Sequence, residues 1–238
     1  MSLTGSSPTS RLSSTPSDCS HCSIFPTDDF RHAASYQLAT DAKEIAMRIG
    51  VIGTGKVGAT LGDALGRAGH EVKLGSRHPG DSVGGPPLVD VAAALAAADV
   101  VLLAVPPGAL GELLAEHAKS LAGKLIIDAT NQFGGASANA SVQVAAAVPT
   151  ARYARVFNTL GWENFAEPIF DGEPADLFFS CRAADRPVLE ELISAVGLRP
   201  AYLGEDKQDV VDGALLLWFS LVQANGGNRR IAFRVLQK

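Results

Sequence analysis

The sequence predicts an α/β fold, a Rossmann-type doubly wound parallel sheet with a small C-terminal α/β unit. Three observations carry that expectation. From Met47 onward, short apolar runs alternate with segments of helical character, as a parallel sheet with crossover helices requires. The first run, Ile49-Gly50-Val51-Ile52, leads directly into Gly53-Thr54-Gly55-Lys56-Val57-Gly58. A helix then stops at Gly69, and a second apolar run closes on Gly75-Ser76-Arg77.

Taken in order, strands are expected at 48–53, 72–76, 100–105, 125–129, 154–159, 176–181 and 200–203. Helices are expected at 56–68, 90–97, 108–121, 137–147, 185–196 and 207–224. The first helix begins at the glycine loop and ends at Gly69. Between His78 and Pro87, Gly and Pro break the chain too often for a crossover helix, so Leu88-Val89 is the remnant of a trimmed third strand. The longest apolar run, Ala214 to Val222, reads as a buried helix. This divides the chain into a disordered leader over 1–46, a dinucleotide-binding domain over 47–160 and a small C-terminal substrate and dimerisation unit over 161–238.

Composition narrows the function. The 238 residues suffice for one large domain or a domain with a small companion, and 47% of them are hydrophobic. A net charge of −5 argues against nucleic acid or an anionic membrane as partner. No run reaches the roughly 20 apolar residues that span a bilayer. Three cysteines form no disulfide framework and point to a reducing, cytoplasmic setting. Cys19-Ser20-His21-Cys22 has the look of half a zinc site, but no second ligand pair follows, so no metal is expected. Up to about Thr27, Ser, Thr and Pro dominate without hydrophobic period, and the leader lacks the apolar core of a secretory signal. An organellar transit peptide is disfavoured by Asp18, Asp28 and Asp29, and Met47 is a plausible natural start.

The glycine run has the context of a dinucleotide site. Gly53 permits the sharp turn, Gly55 lets backbone N–H groups approach a pyrophosphate, and Gly58 allows close packing of helix on strand. Thr54, Lys56 and Val57 complete the loop, and the helix N-terminus favours the phosphates. The cofactor is decided at the end of the second strand. An NAD site places a carboxylate there, whereas Ser76 and Arg77 offer a hydrogen bond and a charged fork to a 2′-phosphate, with His78 a further donor. The expectation is NADP(H).

Ligands of open α/β sheets bind outside the carboxyl ends of the strands. Ala104, Val105 and Pro106 would wall the nucleotide, and Asn131 and Asn158 would offer amides to its ribose or carboxamide. Both asparagines also suit plain turns. No Ser/His/Asp set or catalytic His is evident: His117 falls on a surface helix and His70 follows the helix stop at Gly69. Hydride transfer asks little of side chains, because the protein aligns two rings and excludes water. Leu160 and Trp162 are candidates for the apolar floor of an acceptor, and Gly226 and Gly227 for a close backbone approach, although those glycines also read as a helix stop after Ala224.

Together these residues resemble the NADPH-dependent reductases of the deazaflavin coenzyme F420. The resemblance runs from about Met47 to Leu236 and rests on Ile49 to Gly58, Gly75-Ser76-Arg77, Ala104-Val105-Pro106 and, more loosely, Asn225-Gly226 with Ile231-Ala232-Phe233. In that family the Ser and Arg hold the 2′-phosphate and the tail helps shape the deazaflavin pocket. Two departures concern the acceptor. Asn158-Thr159-Leu160-Gly161-Trp162 stands where deazaflavin-reducing members carry a His-Thr-Ile-Pro-like stretch, and segment 78–87 is trimmed. The resemblance implies hydride transfer between NADPH and a flavin-like small-molecule acceptor, coenzyme F420 first, in a homodimer. The alternatives are reduction of another acceptor (a flavin, an imine or a ferric complex) and a non-catalytic NADP(H) sensor.

Overall fold

The computed structural model describes residues 46–80, 85–134 and 137–236. The expected leader up to residue 45 and the Cys19–Cys22 cluster lie outside them.

The glycine loop is preceded by β1 (Arg48–Ile52) and followed by α1 (Lys56–Arg67). Next come β2 (Glu71–Ser76), β3 (Leu88–Asp90), α2 (Val91–Ala97), β4 (Val100–Leu103), α3 (Pro107–Leu121) and β5 (Leu125–Asp128). The chain continues through α4 (Ser141–Ala147), β6 (Arg152–Arg155), α5 (Trp162–Ala166) and a hairpin of β7 (Ile169–Phe170) and β8 (Glu173–Pro174). It ends with β9 (Asp176–Cys181), α6 (Arg186–Ala195), β10 (Arg199–Tyr202) and α7 (Gln208–Ala224). The eight-stranded sheet has the order β10-β9-β6-β5-β4-β1-β2-β3. All neighbours are parallel except β6 and β9. The α/β, Rossmann-type architecture read from the sequence is therefore the one observed.

Burial explains the order. In β4, Val100 and Leu102 pack into one core cluster with α1, α6 and α7, while Val101 and Leu103 pack into the other with α2, α3 and α4. Side chains alternate across a strand, so a central strand covered on both faces must be apolar at every position. Val-Val-Leu-Leu in β4 satisfies that, with all four residues buried. The trimmed third strand is present as three residues, pairing Leu88 with Leu74 and Val89 with Gly75.

Several boundaries differ from expectation. The strand expected at 154–159 ends at Arg155, because Phe157 adopts φ 62°, a left-handed conformation that breaks an extended run. The helix expected at 137–147 starts at Ser141, and α5 and the β7–β8 hairpin were not foreseen, being too short to show a period. Strands β9 and β10, from the segment expected as a separate C-terminal unit, extend the same sheet across β6, and residues 45–238 form one compact unit. Helix α7 is not buried all round. Val211, Leu215, Trp218 and Val222 face the core, whereas Leu216 and Leu217 stay 58% and 53% exposed. Among the described residues no helix is long and apolar enough to cross a membrane.

Candidate functional site

A cavity of about 620 Å³ lies along the carboxyl ends of β1, β2, β4 and β5. Its centre is the glycine loop. Gly53 adopts φ 112°, and a Cβ there would lie 2.4 Å from Ala104 O. Gly58 is buried behind the loop, where a Cβ would meet Gly53 O at 2.0 Å. The turn thus folds tightly over the start of α1, whose first turn has no acidic residue. Unpaired N–H groups and the helix dipole there favour an anion. Gly53, Thr54, Gly55, Lys56 and Val57 all line the cavity.

Ser76, Arg77 and His78 line one end of the same cavity. Ser76 Oγ accepts a hydrogen bond from His78 N at 3.1 Å, which orders the turn, while Arg77 is exposed. The carboxylate facing this strand end in register, Asp90, is occupied in capping α2 by accepting from Ala93 N at 2.7 Å. A phosphate beside Ser76 and Arg77 would meet donors and a fixed positive charge. The cradle therefore fits an NADP(H) nucleotide.

Ala104, Val105 and Pro106 form a wall, as expected, and Ala129, Thr130 and Asn131 the far end. One stretch of wall was missed. Ala109, Glu112, Leu113, Glu116 and His117 of α3 also line the cavity. Their spacing puts them on one helical face, a pattern visible in the sequence once the helix was placed. His117, expected at the surface, turns a side chain only 13% exposed towards that face, with Nε2 3.8 Å from Glu116 Oε1.

Beneath the far end lies a polar network that the sequence did not announce. Arg155 is fully buried. Its Nε donates to Asp212 Oδ1 at 2.8 Å, Nη1 donates to Asp128 O and Thr130 O, and Nη2 donates to Asn131 Oδ1 at 3.0 Å. Asp128 is buried as well, accepting from Thr130 N and Thr130 Oγ1 through Oδ1 and from Ala140 N and the Tyr153 hydroxyl through Oδ2. Burial, then the Asp128 charge, pushes the Tyr153 phenol well above its ordinary value, so it remains a donor. Asn139 and Asn158 both donate to Asp212, at 2.7 and 3.2 Å. The network ties the cavity's far end to α7.

The remaining expected site residues are placed elsewhere. Asn158 is 1% exposed and lies behind Asn131, whose Nδ2 donates to Asn158 O at 3.4 Å. The left-handed turn at Phe157 accompanies this inward placement, and Asn158 Oδ1 has no hydrogen-bond partner among the described residues. Leu160 is core. Trp162 does not line the cavity but touches it through Lys56, whose Nζ sits 4.8 Å from the ring centroid. Gly226 and Gly227 are exposed, with φ 66° and 84°, and Gly227 N donates to Val222 O at 2.9 Å. That is a Schellman helix stop, away from the cavity lining.

The tail beyond this stop is a strap. Arg229 Nε donates to Glu163 Oε1 at 2.8 Å, Asn164 Nδ2 donates to Arg229 O and Ile231 O, and Trp218 Nε1 donates to Ile231 O. Burial works against a charge on Glu163, but the Arg229 hydrogen bond and the Arg229 and Lys56 charges hold its carboxyl below the ordinary value.

Residues 48–132 match the family of NADP oxidoreductases, coenzyme F420-dependent. Over those residues the match agrees with the resemblance read from the sequence. It spans the glycine loop, Ser76-Arg77, the Ala104–Pro106 wall and Asn131, and ends before Arg155, Asn158 and Trp162. Among solved structures, a protein assigned as an F420-dependent NADP reductase from Arthrobacter sp. FB24 superposes with TM-score 0.70 at 24% identity, over 81% of this chain and 100% of that one. A reductive aminase from Aspergillus terreus, in complex with NADPH4, cyclohexanone and allyl amine, gives 0.59 at 21%, and an imine reductase from Pseudomonas sp. gives 0.60 at 17%. Each of those two is covered over 63% of its length and covers 76% of this chain. At these identities the likeness establishes the fold. No curated protein matches the chain.

Proposed function

We propose that this protein binds NADPH in the cavity described and transfers a hydride between it and a flavin-like acceptor, coenzyme F420 first. The observation that carries the reading is one continuous cavity joining the glycine loop, the Ser76-Arg77-His78 turn and the Ala129–Asn131 strand end. In this reading the loop and the α1 N-terminus hold the pyrophosphate, and Ser76 and Arg77 hold the 2′-phosphate. Lys56 adds a positive charge, and the face of α3 with His117 covers the adenine end. The nicotinamide ring extends along the strand ends to Thr130 and Asn131. The cofactor supplies the hydride, and the protein orients the ring and excludes water. The deazaflavin is supported by the family match over residues 48–132.

The deciding experiment follows NADPH consumption with deazaflavin, FMN, cyclic imines and ferric chelates as acceptors. Turnover with the deazaflavin alone is expected. Turnover only with another acceptor would move the assignment to that acceptor, and tight NADPH binding with no consumption would favour a sensor. We further propose a cytoplasmic homodimer formed through the exposed apolar face of α7 around Leu216 and Leu217. A stable monomer by light scattering at micromolar concentration would overturn the dimer.

A further inference from the structure

Around the cavity's far end the buried charges do not balance. Asp128 and Arg155 each contact a cavity-lining residue directly, Asp128 through Thr130 and Arg155 through Thr130 O and Asn131. They also contact one another, Nη1 to Oδ2 at 3.1 Å, and both side chains are 0% exposed. To a group in the cavity this pair is nearly neutral. Asp212, 9% exposed with Oδ1 2.7 Å from Arg155 Nη2, has no second cation among the described residues. Its other partners, Asn139 and Asn158, are neutral amides. Two carboxylates thus share one guanidinium, leaving one formal negative charge in a region that water screens poorly.

We infer that Asp212 is a positioning residue that biases a bound nicotinamide towards its oxidised, positively charged form. The inference rests on the proposed function, which places that ring against Thr130 and Asn131. Transfer of a hydride, one proton with two electrons, to the acceptor breaks one C–H bond at the nicotinamide and forms one at the acceptor. It leaves one positive charge on the nicotinamide ring, and the acceptor's added negative charge is neutralised by a proton from solvent. A fixed negative charge beneath the ring is indifferent to the neutral dihydro form and attracts the cation. Asp212 would thereby lower the midpoint potential of the bound cofactor and favour reduction of the acceptor. Placing the charge on α7 makes the bias a property of the helix that closes the network.

The test is calorimetric titration of the full chain with NADP+ and with NADPH, for the parent and for Asp212→Asn. The substitution keeps the shape and one acceptor for Arg155 while removing the excess charge. The expected result is a rise of about five- to tenfold in the ratio of the NADP+ to the NADPH dissociation constant. A merely structural role would weaken both forms alike and leave the ratio unchanged. Asp209, exposed and accepting from Asn139 Nδ2 at 3.2 Å, gives a second variant that spares the core. Asp209→Asn should move the ratio the same way by about two- to threefold, and it carries the test if Asp212→Asn fails to fold. Unchanged ratios in a folded variant that still binds both forms overturn the inference and leave the proposed function standing. A parent chain that binds neither form overturns both.

Discussion

Gly58 and Arg77 act on the nucleotide by different means, and substitution separates them. A Cβ on Gly58 would press on the Gly53 carbonyl from 2.0 Å, and backbone cannot swing aside as a side chain can. Gly58→Ala should therefore deform the loop, lowering NADPH affinity by at least about tenfold and costing about 1–3 kcal/mol of stability, as overpacking does. Calorimetric titration and urea unfolding check the two effects. Arg77 is exposed and makes no ion pair among the described residues, so Arg77→Ala should leave the melting temperature unchanged. Losing a charge-assisted contact of about 1.5–3 kcal/mol would erase most of a preference for NADPH over NADH. Equal affinity of the parent for both cofactors would refute the 2′-phosphate assignment. At this scale the sequence was readable wherever the residue type itself stated the requirement, as at Gly53 and Gly58. It was silent on Arg155, because burial of an arginine depends on partners 17 to 57 residues away in the chain.

The elements that were hard to foresee are those held by tertiary contacts instead of a period. The five-residue α5 and the two-residue strands β7 and β8 are below the length at which a hydrophobic repeat can show. Helix α5 is pinned by the tail strap, and the pin depends on pH. The Glu163 carboxyl is held below its ordinary value in the folded protein, so the stabilisation is complete above the unfolded value of roughly 4.3 and disappears as pH falls through the folded one. Glu163→Gln should lower the melting temperature by about 2 °C at neutral pH, the scale of a partly exposed pair in a chain of this size. The difference from the parent should vanish below the carboxylate range. A gap that widens in acid would contradict the role given to Arg229. Helix α7 teaches the complementary lesson. Its boundaries were plain in the sequence, but Ala214-Leu215-Leu216-Leu217 gives no indication of which leucine faces the core. Only packing against β6 and β9 decides that Leu215 is buried and its two neighbours are not.

For the whole molecule, alternation of apolar runs and helices was enough to give the parallel Rossmann sheet, since β4 and β5 are buried along their entire length and apolar except at Asp128, the carboxyl end of β5. What it did not give was the reversal at β9. An antiparallel neighbour and a parallel one draw on the same Asp-Leu-Phe-Phe-Ser-Cys residues, so direction is invisible locally. Residues 1–46 lack the hydrophobic period that would join them to a core. Removing residues 1–46 should therefore leave the melting temperature within about 2 °C and NADPH affinity within about twofold, the scale of changes made away from a core. A large fall in melting temperature would show that the leader contributes to the fold.

Of the chain's two tryptophans, Trp218 is sealed in the core with its N–H bonded to Ile231 O, whereas Trp162 lies beneath the ammonium of Lys56. That ammonium belongs to the loop in which a pyrophosphate would rest, and the phosphate and the indole compete for it. The protein consequently carries its own optical indicator. In a Trp218→Phe background a single indole emits, and its fluorescence reports whether Lys56 rests on the ring or has turned towards a phosphate. Read with NADP+, which does not absorb indole emission, that signal would time the arrival of the nucleotide in a stopped-flow trace without any attached dye.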